Sequence, residues 1–135
     1  MTTYEALLAL DSSESRASAQ ADAIADLPAA ADAVHATLVY VFTEPHDIEA
    51  RQIGSVRRAA ERLEEANVET TLTTRVGDPA DEIVALASEL DANLICLGEW
   101  KRSTIDEVLH GSVTRTVVHR TTRPTLICYA PADDS

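Results

Sequence analysis

Gly98, Lys101, Arg102 and the pair Gly111-Ser112 are the residues of this chain whose types and spacing can hold an anion. They fall within residues 94–112, LICLGEWKRSTIDEVLHGS, where an apolar run stops at Gly98 and a polar loop with two cations leads to Gly111-Ser112. Glycines at both ends of such a loop let backbone N–H groups approach an anion closely. A helix capped by Ser112 would add a favourable dipole and unpaired donors. Phosphate binding is the chemistry this pattern predicts.

The charge distribution points the same way. The chain of 135 residues carries a formal charge of -12, yet residues 100–124 hold Lys101, Arg102, Arg115, Arg120 and Arg123 against Asp106 and Glu107. A strongly acidic chain lacks the basic footprint that nucleic acid or an anionic membrane requires. Lys101 is the only lysine, and an acidic, lysine-poor surface resembles that of proteins from salt-loving organisms.

Catalytic patterns are absent. There is no Gly-x-Ser-x-Gly elbow and no Gly-x-x-x-x-Gly-Lys loop. Cys96 and Cys128 each sit inside an apolar run and form no CxxC pair, which predicts buried reduced thiols. His46 and His110 border the expected pocket, but neither has a second ligand at metal spacing, and His119 sits in a helix without a role. The reading is a binding protein and not an enzyme. No apolar run approaches membrane-spanning length and Met1–Glu5 opens no leader, so a soluble cytoplasmic protein is expected.

One domain of five strands must position these residues. Ala6–Leu10 and Leu94–Leu97 are continuous apolar runs suited to buried parallel strands, and Thr37–Phe42 and Thr125–Tyr129 are further strands. Val68–Val76 alternates apolar and polar residues, as an edge strand does. Helices are expected from Ser13 to Pro28, with a re-started end near Ala29–Ala33, then around Val56–Leu63 closed by Asn67. Two more follow, one from Asp78-Pro79 to Leu90 and one from Ser112, with Val113 and Val117 facing inward. Alternating strands and helices build an open α/β sheet, mostly parallel, with helices on both faces. In the order 3-2-1-4-5, Asp11 and Gly98 meet at a topological switch point, where such sheets bind ligands.

At these residues the chain resembles the universal stress protein family, small dimeric Rossmann-like α/β proteins, many of which bind ATP. That family's motif is Gly-x-x-Gly, nine residues, then Gly-Ser or Gly-Thr. Gly98 fills the first position, Lys101 stands at the second glycine, and Gly111-Ser112 follows at the expected spacing. Leu8–Ser12 is similar to the family's first strand with its acidic residue, and Gly77-Asp78-Pro79 to its turn before the third helix.

The resemblance implies an adenine-nucleotide site for ATP, AMP or ADP, with or without Mg²⁺. Val41 would hold adenine through backbone groups. Leu10, Asp11 and Ser12 would meet the ribose, or Mg²⁺ through Asp11. Gly98, Lys101, Arg102, Gly111, Ser112, Val113 and Thr114 would surround the phosphates. It also implies a homodimer through the edge strand Leu126–Tyr129. Lys101 has two opposed effects: a lost glycine can forbid a left-handed backbone, whereas an ammonium adds a mobile positive charge. The rival readings are a nucleotide-independent dimeric interaction module and a weak ATP hydrolase.

Overall fold

The computed structural model describes residues 3–101 and 111–131. Five strands, β1 (Tyr4–Leu10), β2 (Val34–Phe42), β3 (Glu69–Val76), β4 (Leu94–Trp100) and β5 (Thr125–Ala130), alternate with helices. These are α1 (Glu14–Ala25), the short α2 (Ala30–Ala33), α3 (Gly54–Glu65), α4 (Pro79–Leu90) and α5 (Ser112–Arg120). Every strand pairing is parallel and the order is β3-β2-β1-β4-β5, as the alternation predicts. β3 and β5 are the two edges.

Successive strand residues point to opposite faces, so strands covered on both sides must be apolar at every position. Leu8, Leu38 and Cys96 meet Ala21 and Ile24 of α1 and Leu63 of α3 on one face. Leu7, Val39, Ile95 and Leu97 meet Ile83 and Leu86 of α4 and Val117 of α5 on the other. Arginine links α1 to α3 at the surface, through Arg58 to Glu14 (3.0 Å) and Arg62 to Asp22 (2.8 Å).

The helix ends follow their residue types. The Ser13 hydroxyl accepts from the Arg16 N–H to cap α1, and the Asp78 carboxylate accepts from the Asp81 N–H to cap α4, with Pro79 in its first turn. Asn67 closes α3 in the left-handed region (φ 63°), and Ala29 does the same (φ 56°) where the chain restarts as α2. Among the described residues no helix is long and apolar enough to cross a membrane.

Three expectations at the site need correction. β4 does not stop at Gly98 but runs to Trp100, because β5 continues to pair with it at Gly98–Cys128, Glu99–Tyr129 and Trp100–Ala130. Ser112 is not the cap of α5 but its first residue; Gly111 holds the cap position without a side-chain bond. Val113 does not face inward and is exposed, whereas Thr114 and Val117, three apart, form the buried stripe.

Candidate functional site

β1 and β4 pair only from Ala6–Leu94 to Leu8–Cys96. Beyond that point β1 stays with β2 as far as Leu10, while β4 follows β5. The divergence opens a crevice at the carboxyl ends of the two central strands, the switch point at which Asp11 and Gly98 both appear in the lining. Gln20 of α1, buried, closes its floor: its Nε2 donates to the carbonyls of Ala9 (2.9 Å) and Cys96 (3.1 Å). These carbonyls lie where β1 and β4 cease to pair, and Gln20 keeps them satisfied.

Gly98 serves this floor by its size. A Cβ there would lie 2.5 Å from Gln20 Oε1 and 3.1 Å from Arg16 Cβ. Its backbone is not left-handed, and neither is that of Lys101; among the described glycines only Gly77 has a positive φ (149°). The expected requirement for conformational freedom in the loop therefore does not hold at Gly98 or Lys101.

The cavity measures about 360 Å³. Its lining combines apolar side chains, Val39, Val41, Ile83 and Leu97, with the polar Asp11, Arg16 and Glu99 and the start of α5. Of the expected site residues, Leu10, Asp11, Val41, Gly98, Gly111, Ser112, Val113 and Thr114 line it. Ser12 and Lys101 are exposed and do not, while Arg102 and His110 lie outside the described residues.

Asp11 is engaged on both oxygens. Oδ1 accepts from the Ser13 N–H (2.8 Å), and Oδ2 meets the Arg16 guanidinium (2.8 Å), which also lies 4.6 Å from the centre of the Trp100 ring. Across the crevice Glu99 is buried at 8 % exposure. Its Oε1 and Oε2 accept from the Gly111 N–H at 3.4 and 3.3 Å, and Oε2 also accepts from the Thr114 hydroxyl.

A model of the universal stress protein family matches residues 5–128. The chain belongs to the universal stress protein family. A universal stress protein of Methanothermobacter thermautotrophicus is 48 % identical over 56 residues, which are 42 % of this chain and 38 % of that relative. A universal stress protein solved in complex with cAMP superposes with a TM-score of 0.73 at 27 % identity, over 96 % of this chain and 99 % of the other. A third, from Archaeoglobus fulgidus in complex with dAMP, has a TM-score of 0.72 at 22 % identity, over 95 % and 99 % of the two chains, and speaks for the fold.

In this universal stress protein the positive charge is not distributed as the count along the chain suggests. Arg120 pairs with Asp81, and Arg123 with Asp91 (3.2 Å) and the Ala92 carbonyl (2.8 Å). Arg120 ends α5 and Arg123 follows it, and neither is in the described lining of the crevice. The cation in the described lining is Arg16, on α1, a residue the sequence reading passed over. Arg16 Nε is buried without a partner among the described residues. Lys101 gives its backbone N–H to the Ala130 carbonyl (2.7 Å) and so extends the sheet. His46 stacks on Phe42, ring centres 3.5 Å apart, and its Nδ1 accepts from the Ile48 N–H (3.0 Å). Trp100 packs against Arg16.

Proposed function

We propose that this universal stress protein binds an adenine nucleotide in the crevice between β1 and β4 and acts as a binding switch, not as an enzyme. One observation carries the reading: the switch-point crevice is lined both by apolar side chains, Val39, Val41, Ile83 and Leu97, which suit a purine, and by the start of α5, which suits a phosphate. The likeness to a family member solved with cAMP supports it. In this reading Val41 backbone groups hold the base and Asp11 orients the ribose. The N–H groups of Ser112, Val113 and Thr114, which precede the first intrahelical bond (Arg115 N–H to the Gly111 carbonyl, 3.0 Å), face the phosphate end.

Calorimetric titration of the purified chain with cAMP, AMP and ATP, with and without Mg²⁺ at high salt, tests the proposal. Heat that saturates is expected with an adenine ligand. No heat at millimolar concentration of any of the three would overturn it. Phosphate release from ATP above the level of an Asp11→Ala variant would overturn the non-enzymatic part.

A homodimer through β5 completes the proposal. β5 is an edge, and Tyr129 on it and Val118 on α5 are exposed. An edge strand with exposed apolar side chains is a surface for pairing. Sedimentation equilibrium should give twice the chain mass, and a Tyr129→Lys variant should shift it toward monomer.

A further inference from the structure

We propose that Glu99 sets the charge selectivity of the crevice, so that it favours adenine ligands with no charge or a single negative charge over ATP. The inference rests on the nucleotide reading above and deepens it. Donors at the start of α5 form the natural cradle for a ligand phosphate. The Glu99 carboxylate already stands on it, accepting from the Gly111 N–H and the Thr114 hydroxyl.

The way Glu99 is compensated decides the sign of the effect. Among the described residues no Lys, Arg or His nitrogen lies within 4.0 Å of its carboxylate. Among the described residues its charge is held by a hydroxyl, one N–H and the helix dipole. The one cation in the described lining, Arg16, is already paired with Asp11 at 2.8 Å. Two carboxylates and one guanidinium therefore face the crevice among the described residues. A triphosphate brings several negative charges to a helix start beside which an anion already stands, in a partly desolvated site where repulsion is weakly screened. A nucleoside brings none, and its hydroxyls can donate to the same carboxylate. A cyclic phosphodiester brings one.

The experiment is calorimetric titration of the full chain with adenosine, cAMP and ATP at one ionic strength in the presence of EDTA, for the wild type and for Glu99→Gln. In the wild type, adenosine and cAMP should bind at least ~10-fold more tightly than ATP. Glu99→Gln keeps the shape and removes the charge, and should move the ATP-to-adenosine affinity ratio about 10-fold or more toward ATP. Wild-type protein that binds ATP as tightly as adenosine overturns the proposal, as does an unchanged ratio in the variant. The wild-type ranking stands even where a variant fails to fold, and Glu99→Ala is the second variant. Failure of all three ligands to bind either protein overturns the nucleotide reading itself, a result distinct from binding without discrimination.

Discussion

The crevice has two lips, and each presents a carboxylate in a different way. On the β1 lip Asp11 is half exposed and paired with a full positive charge, Arg16, within hydrogen-bond distance. On the lip made by β4 and α5, Glu99 is buried and held by neutral donors alone among the described residues. An ion pair whose carboxylate is half exposed is partly screened by water and contributes less to stability, whereas a buried carboxylate depends on each hydrogen bond it accepts. The β1 lip is therefore electrically quiet and replaceable. The β4–α5 lip sets both the field in the crevice and the packing around it.

The largest effect is expected beneath both lips, where Gln20 joins them. Gly98→Val places a Cβ 2.5 Å from Gln20 Oε1, whose amide is fixed by two carbonyls, and close to Arg16. The side chain must yield and the carbonyls lose their donor, a loss of about 2–4 kcal/mol. Urea unfolding should show this as a lower midpoint. A change below half a kilocalorie would mean that the floor is soft, and with it the contrast between the lips.

The next effect separates the lips directly. Thr114→Val removes a hydroxyl donor from a buried carboxylate at constant shape and should cost about 1–3 kcal/mol. Asp11→Asn alters an exposed pair and should cost about 0–1 kcal/mol. Equal losses in the same unfolding assay, or a larger one for Asp11→Asn, would break the comparison.

Much of this arrangement is legible in the sequence. The strands are apolar at consecutive positions because both faces are covered, and Ser13, Asp78, Pro79 and Asn67 mark helix ends by their own chemistry. The switch point follows from the order of elements, so the place of the crevice is readable. Glu99 was not, because a carboxylate has no role in a loop read as an anion cradle. Its signal was parity: once β4 passes through Gly98, Glu99 continues the face of Ile95 and Leu97 and must be buried on it. Gln20 stood in plain view as the polar member of the Ala17, Ala21 and Ile24 stripe. The charge count misled because a nine-residue helix is about 13 Å long. Arg120 and Arg123 are near Gly111 in sequence but do not line the crevice and pair instead with Asp81 of α4 and with Asp91, its C-cap.

The smallest effect tests how firmly the second lip is closed. Cys96 and Cys128 lie on β4 and β5 with sulfurs 3.3 Å apart, and Cys128 is the register partner of Gly98. The hydrogen bond with Cys128, followed by burial, pushes the Cys96 thiol well above its ordinary range, and the same bond holds Cys128 below it. The thiolate is the reactive form, so iodoacetamide should label Cys128 before Cys96 as pH rises toward the ordinary thiol range. Cys96→Ala removes the donor and should move the Cys128 labelling midpoint to higher pH, read by mass spectrometry. Since labelling requires local opening, Thr114→Val should speed it about 2-fold or more while Asp11→Asn leaves it unchanged. Equal acceleration by both variants would show that the lips open together, and the distinction between them would then belong to the static structure alone.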